Sequence, residues 1–464
     1  MTLTHHRYLC IHGHFYQPPR ENPFTGAIPR EPGAEPYANY NEKINAECYR
    51  PNAQLFNFRR ISFDIGPTLT NWLHRHDPLT LTRIVHSDHW AARHHGASPA
   101  MAQGYHHSIL PLDSARDRRT QVRWGIRDFQ YRFSRTPLGL WLPETAADLA
   151  TLETLAAEGI AYTILAPWQA ARPVEPGQPY TIALPSGRTI AAFFYDRDLS
   201  GLISFHPDAT VSAPRFVHDH LLPRYAGAGA PRLVLIASDG ELYGHHQPFR
   251  DLFLQDLFLH RLQPAGIQPI TPEGYLRLVP ERPVVPLREQ TSWSCHHGLE
   301  RWRGACGCTA GDGSWKAALR GAFNDLRDQI DGLTEEAAAG LLDDVWAARD
   351  DYIDVMLHVT GPAGWLDRHA RHALTPAQAQ RVLTLMEAQR YRLAMYASCA
   401  WFWDDVARIE PRNAIANALQ ALRLVENATG ARLEFDFRAR LARIVSWRTR
   451  QSAAEIVEPL AAAD

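Results

Sequence analysis

The chain has 464 residues, of which 45% are hydrophobic, and a formal net charge of −2. This length supports a sizeable buried core and two or three domains, or one α/β barrel with an appendage. With charges balanced and no long block of one sign, nucleic acid and anionic membrane are excluded as partners; the densest basic cluster, Arg116-Asp-Arg-Arg119, reads as a solvated helix face.

The N-terminal MTLTHHRYLCIHGH has no basic segment followed by a sustained apolar one, and no window approaches the roughly 18 apolar residues of a membrane span. The chain therefore reads as cytoplasmic. Six cysteines are too few for a disulfide scaffold.

Over roughly the first 275 residues, short apolar runs alternate with helical patterns, which is the signature of βα units around a parallel sheet. Strands are expected at Tyr8–His14, Ile61–Ile65, Gly139–Leu142, Ala161–Ala166, Ile190–Tyr195 and Arg232–Ala237. Between them Asp148–Glu158, with Asp148 as N-cap, and Pro248–Gln263 follow helical spacing. Four prolines between Arg20 and Pro36 make that stretch a long loop. A second irregular stretch runs from Pro280 to Asp312. Beyond it Leu319, Ala322, Phe323, Leu326 and Ile330, and then Val382, Leu385, Met386, Leu393 and Tyr396, recur at helical intervals, the second run interrupted by Gln389. The expected division is residues 1–280 as a catalytic barrel, 281–313 as an irregular linker contributing to the rim of the site, and 314–464 as a helical bundle.

Three carboxylates stand just beyond apolar strands: Glu144 after GLWLP, and Asp239 and Glu241 after RLVLIAS. A charge at the end of a buried parallel strand is costly unless paired or used, and barrel enzymes place catalytic groups there. Two carboxyl groups from different strands suit glycoside hydrolysis, one attacking the anomeric carbon and the other protonating the leaving oxygen. The flat rings of Tyr16, Trp90, Trp141, Trp168, Tyr195, Tyr243 and Trp293 fall in or beside loops and strand ends, where sugars stack, although such rings also serve as core. His12 and His14 point to the same side if their strand persists; with His106, His107, His245, His246 and Asp239 they have the composition of a metal site, or they hydrogen-bond neighbours or a ligand. Cys295, Cys306 and Cys308 with adjacent His296 and His297 have enough soft donors for zinc or iron–sulfur, but the C-x10-C-x-C spacing matches no metal-ligand pattern, and buried or redox-active thiols are the favoured reading.

Five segments occur in order: His12-Gly-His14; Gly104-Tyr-His-His-Ser-Ile-Leu-Pro-Leu112; Gly139-Leu-Trp-Leu-Pro-Glu144; Ser238-Asp-Gly-Glu-Leu-Tyr-Gly-His245; and Ser292-Trp293. Together they resemble glycoside hydrolase family 57, a retaining α-glucan-active family. The resemblance covers roughly residues 8 to 300 and implies an α/β fold, a (β/α)7 distorted TIM-like barrel followed by a C-terminal helical bundle. It places the nucleophile on Glu144 and the general acid/base on Asp239, sets His12 and His14 beside the sugar, and goes with substrate contacts from His107, Trp141, Glu241, His245 and Trp293. Asp196, at the end of another strand in FFYDRDLSG, reads either as lining the pocket or as part of a solvated turn, and Glu42 and Glu47 after the proline-rich loop are candidates for donor or acceptor subsites. No metal and no organic cofactor is implied, and the partner is an oligosaccharide or polysaccharide. The strings WLPE and GELYGH look most like the branching members of the family. Thr145 stands where many members carry a basic residue, and Ser294-Cys295-His296-His297 replaces the glycines typical of branching enzymes. Rival readings are a metal-dependent carbohydrate deacetylase or amidohydrolase using His12, His14 and Asp239 as ligands, and a non-catalytic glucan-binding protein. Linkage, chain length, acceptor and oligomeric state are not legible in these motifs.

Overall fold

The computed structural model describes residues 7–226 and 231–461. Its architecture is organised around β1 (Arg7–Phe15), nine residues that are buried from Tyr8 onward. A strand buried on both faces needs parallel neighbours, and β1 has β2 (Ser62–Ile65) on one side and β8 (Arg232–Asp239) on the other, both parallel. The sheet continues from β2 to β3 (Ala100–Gln103) and β4 (Leu140–Trp141). A parallel bridge from Gly139 to Tyr162 carries it to β5 (Tyr162–Leu165), which pairs with β7 (Thr189–Phe194). The backbone N–H of Asp196 donates to Leu235 O at 2.7 Å and closes the ring onto β8. Among the described residues, seven parallel strands thus form a (β/α)7 barrel, as expected.

The β7/β8 seam is the distorted one. Along its length β6 (Pro179–Ala183) runs antiparallel to β7 on the edge away from β5. Just before it Gly177, at φ +81°, comes so close to Leu233 that a Cβ would fall 1.9 Å from its carbonyl oxygen. A two-residue strand, β9 (Gln268–Pro269), pairs with Tyr8 and Leu9 of β1. Strands β3, β6 and β9 were not anticipated. Ala100–Gln103 is four residues with two alanines and a glutamine, β6 is opened by a proline, and β9 is two exposed residues; none carries an apolar run long enough to read.

Side chains alternate along the strands. Tyr8 and Cys10 of β1, Ala191 and Phe193 of β7 with Tyr195 just beyond it, and Leu233, Leu235 and Ala237 of β8 fill one cluster with Met101, Trp141, Tyr162 and Ile164. Two residues further on, the same face of β1 carries His12 and His14, and that of β8 carries Asp239.

Residues 7–17, 30–104 and 129–293 form one compact unit; residues 18–29, 105–128 and 294–461 cluster as a second. The second is dominated by helices Ser314–Ala338, Pro376–Ala394 and Ile409–Thr429. Leu319, Ala322, Phe323, Leu326 and Ile330 are all buried on the first, and Val382, Leu385, Met386 and Leu393 on the second, as their spacing requires. Gln389, the interruption, is fully buried: it accepts from Arg349 Nη1 at 3.1 Å and donates to Asp331 Oδ1 at 3.0 Å. Around it Asp117 pairs with Arg349 at 2.9 Å and Arg392 at 2.7 Å. Of the face expected to be solvated, Arg116 and Arg119 are exposed, but Asp117 and Arg118 are buried, because two arginines from other helices need Asp117 as their counter-ion.

Candidate active site

In a parallel barrel the side chains at the C-terminal strand ends converge on one mouth. His14 sits there in register with Asp64 of β2 and Asp239 of β8, so an imidazole stands between two carboxylates on adjacent strands. Asp64 is fully buried and binds both histidines, accepting from His12 Nε2 at 3.0 Å and His14 Nδ1 at 2.8 Å, and takes a third bond from Gln103 Nε2 at 2.8 Å. His12 Nδ1 meets Ser62 Oγ at 3.0 Å.

These contacts set the charges. Burial alone would lower His14, but the charges of Asp64, Asp239 and Glu241 and the bond to Asp64 lift it to about 9. Burial holds His12 below its ordinary value. Burial would raise Asp64, yet its two histidines bring it below the usual carboxylate range. The trio is therefore a neutral His12, an ionised Asp64 and a cationic His14. Both ring nitrogens of His12 and the Nδ1 of His14 are engaged within this trio and its Ser62 neighbour.

The two histidine rings lie flat on Trp141, at centroid distances of 4.7 Å and 5.2 Å. Trp141 is wholly buried, so it supports the histidines from beneath rather than offering an open face to sugar. Trp293 meets its edge at 5.1 Å, and Tyr195 lies 6.4 Å from Trp293. Trp293, Trp168 and Tyr16 remain partly open.

Glu144 ends the turn after β4 at φ 57°, ψ 20°, and Thr145 follows at φ 49°. Two successive non-glycine residues in the left-handed region, one of them β-branched, cost about 1–3 kcal/mol each and persist only where neighbours enforce them. The enforcement is visible. Gln169 accepts from Thr145 Oγ1 at 2.9 Å and donates to its carbonyl at 2.8 Å. Trp293 N–H donates to Glu144 O at 3.1 Å, and its indole Nε1–H donates to the Glu144 carboxylate at 3.1 Å. Trp293 is delivered by residues 285–293, which bond in turn to Thr181, Ala171, Gln169, Ala147 and Glu144. Thr145 is buried, and its work is to lock the turn.

Asp239 is open to solvent at the end of β8. Crowding by surrounding protein raises its carboxyl and Asp64 adds to the effect, while His14 and His246 oppose it. Glu241, two residues on, is buried and pushed up to about 7 by that burial and by Asp239, against the bond from Tyr49. Its Oε1 accepts from Tyr49 Oη at 2.7 Å and from the backbone N–H of Tyr16 at 3.1 Å. The loop carrying it is clasped by residues 47–52: Glu47 Oε2 meets His245 Nδ1 at 2.5 Å, and Asn52 donates to Tyr243 O at 2.7 Å. Gly244, at φ +142°, lies against the Glu47 carbonyl, where a Cβ would come within 2.2 Å. Glu42 is spent on the backbone of Ala38 and on Asn39.

Of the residues expected to contact sugar, His12, His14, Glu241, His245 and Trp293 belong to the barrel unit with Glu144 and Asp239. Asp196 does too, but its carboxylate caps helix Arg197–Phe205, accepting from Asp198 N and Leu199 N, and pairs with Arg224 at 3.2 Å. His107 falls in the helical unit, where its Nδ1 meets Ser398 Oγ at 2.6 Å. Sequence reasoning missed Asp64, Gln103 and Tyr49. A signal existed for Asp64, the one charge inside the apolar run ISFDI.

The model of glycosyl hydrolase family 57 matches residues 12–288 of this chain. The chain belongs to glycosyl hydrolase family 57. A domain of unknown function (DUF3536) matches residues 312–461. No curated protein matches the chain by sequence. Among solved structures it is similar to an exo-type maltose-forming amylase from Pyrococcus sp. ST04, at 16% identity and TM-score 0.75, over 94% of this chain and 82% of that one. It is also similar to a family 57 branching enzyme from Pyrococcus horikoshii, at 15% identity and TM-score 0.63, over 98% of this chain and 94% of that one. A third, an α-amylase from Thermotoga maritima, matches at 13% identity and TM-score 0.60, over 97% and 99%. At these identities the likeness concerns the fold. Among the described residues no helix of this family 57 chain is long and apolar enough to cross a membrane.

Proposed function

We propose that the chain is a retaining glycosidase or transglycosylase acting on α-linked glucans, with Glu144 as nucleophile and Asp239 as general acid/base. The observation that carries this reading is the Glu144 carboxylate held on an enforced turn at the end of β4, with the Asp239 carboxylate at the end of β8 in the same barrel unit. Glu144 is aimed by the indole of Trp293 on an enforced turn, while Asp239 holds its proton more tightly than a free aspartate. The amylases and branching enzyme that share the fold make α-glucan the substrate class to test first.

In the first step a Glu144 oxygen attacks the anomeric carbon, the glycosidic C–O bond breaks, and Asp239 gives its proton to the departing oxygen. In the second, ionised Asp239 takes a proton from water or a sugar hydroxyl, that oxygen attacks the anomeric carbon, and the bond to Glu144 breaks. His14, cationic beside Asp239, favours the ionised form that the second step needs. Trp293, Trp168 and Tyr16 offer partly open rings to pyranose faces. His245 and Glu241 supply hydrogen-bonding groups, while His12, with both ring nitrogens engaged, acts through Asp64.

The test is to trap the enzyme with a fluorinated α-glucosyl fluoride and map the labelled peptide. Label on Glu144, retained anomeric configuration, and loss of turnover in both Glu144→Gln and Asp239→Asn are expected. Inverted product, or label on another carboxylate, overturns the assignment. A division into a catalytic barrel over 1–280, a rim segment over 281–313 and a helical domain over 314–464 goes with this reading. So does a cytoplasmic location, since the six cysteines form no disulfide among the described residues.

A further inference from the structure

In the helical unit two short turns face each other. In the first, Gly298 N–H bonds Cys295 O at 3.2 Å, and the turn presents Cys295 and His297. In the second, Thr309 N–H bonds Cys306 O at 3.1 Å, and the turn presents Cys306 and Cys308. The four side chains point one donor atom each toward a common centre, all within 4.8 Å of one another. The Cys295 and Cys306 sulfurs are 3.5 Å apart and those of Cys295 and Cys308 are 3.9 Å apart. His297 Nδ1 is 3.2 Å from the sulfur of Cys306 and 3.4 Å from that of Cys308.

These separations have a simple origin. Sulfurs about 2.3 Å and a nitrogen about 2.0 Å from one tetrahedral centre stand roughly 3.5–3.8 Å apart. A polynuclear iron–sulfur cluster requires ligands spread over a wider frame. A disulfide would use two of the three thiols and leave the histidine without a reason to join them. The sequence pattern is therefore Cys-x-His…Cys-x-Cys: of the two adjacent histidines it is His297 that joins the three thiols, a choice the cysteine spacing could not make.

We propose that Cys295, His297, Cys306 and Cys308 bind one zinc ion as a closed structural site in the helical unit. Three thiolates and an imidazole are the soft donor set that selects zinc among abundant divalent ions, and four protein ligands leave no position for substrate. Binding displaces the three thiol protons to solvent, and the loaded centre carries one net negative charge. Two cations answer that charge. Lys316 is completely buried, donates to Thr309 Oγ1 at 3.2 Å, and feels the charges of Cys295 and Cys306. Arg301 donates to the carbonyls of Ser294 at 3.0 Å and Cys308 at 3.3 Å. Amide N–H groups of His297 and Arg301 point at the Cys295 sulfur and that of His296 at Cys308, the second-shell bonds that steady thiolate ligands. His297 lies exposed, which leaves the ion a way in. The ion would pin residues 295–309, a stretch whose single helix, Glu300–Arg303, is four residues long.

The test uses the full-length protein purified without chelator and measures metal by elemental analysis. One zinc per chain is expected, released by a mercurial thiol reagent. Cobalt substitution should give the charge-transfer absorption of thiolate-bound cobalt. The variant Cys306→Ser with Cys308→Ser should lose the zinc, whereas Cys399→Ser keeps it. A lower thermal midpoint after zinc removal from wild type gives a readout that does not depend on any variant folding. The proposal is overturned if the metal-free chain takes up no zinc on titration, if cobalt binds without the thiolate band, or if intact mass shows two of these thiols already joined by loss of two hydrogens.

Discussion

The substitution Asp64→Asn tests the electrostatic frame of the barrel mouth. Asp64 is fully buried between His12 and His14, and with Asp239 and Glu241 it lifts His14 from 6.5 to about 9. A group whose folded pKa is raised stabilises the fold fully below its unfolded pKa and loses that contribution as pH climbs through the folded one. The window for His14 is therefore pH 6.5 to 9, and its size is about 3 kcal/mol at 1.36 kcal/mol per unit. Asn at 64 keeps the shape but removes the charge that holds His14 protonated. The variant should be less stable than wild type by roughly 3–5 kcal/mol at pH 6, as when one member of a buried pair is lost. The gap should narrow toward pH 9.5, where wild type has lost its own His14 contribution. Denaturant titrations of both proteins at pH 6, 8 and 9.5 measure this directly. A gap that stays constant across the window would refute the assignment of His14 as the titrating cation.

Glu241→Gln should stabilise the protein at pH 8 by up to about 3 kcal/mol, because Glu241 is raised from 4.5 to about 7 and ionising it opposes folding above that range; thermal melts at pH 5 and 8 show whether the gain appears only at the higher pH. Trp293→Phe removes the indole donor to Glu144 while keeping a ring, so kcat on an α-glucan should fall roughly 10- to 100-fold, the worth of a hydrogen bond to a charged group, with a smaller change in KM. Arg349→Leu strands Asp117 with one of its two buried arginine partners and should destabilise by about 3–5 kcal/mol, read as an earlier denaturant midpoint; an unchanged midpoint would remove the network from the account of the helical unit.

Much of the frame was legible because it is written in local periodicity. Alternation along Tyr8–His14 put both histidines on one face, and the same rule carried Asp239 to the mouth. Asp148 announced the N-cap of helix Leu149–Ala157, and its carboxylate does accept from Thr151 N. The helical spacing from Leu319 to Ile330 gave the buried stripe of a 25-residue helix. Such patterns need no partner to be read, since burial imposes them on each element separately.

What the tertiary structure alone decided are the partnerships. Asp64 lies 50 residues from His14, and only the parallel register of β1 with β2 sets the two side by side. Glu47 could be read as a subsite candidate, but that it and Tyr49 clasp His245 and Glu241 from 198 and 192 residues away could not. Asp196, legible as a strand-end carboxylate, is claimed by the helix it caps, and Trp141 is covered by the histidines stacked on it. A residue's type and spacing determine which face it can occupy. Its charge state and chemical role depend on which groups from distant segments are folded against it, because electrostatic and hydrogen-bond energies fall off over a few ångströms in space, whatever the separation along the chain.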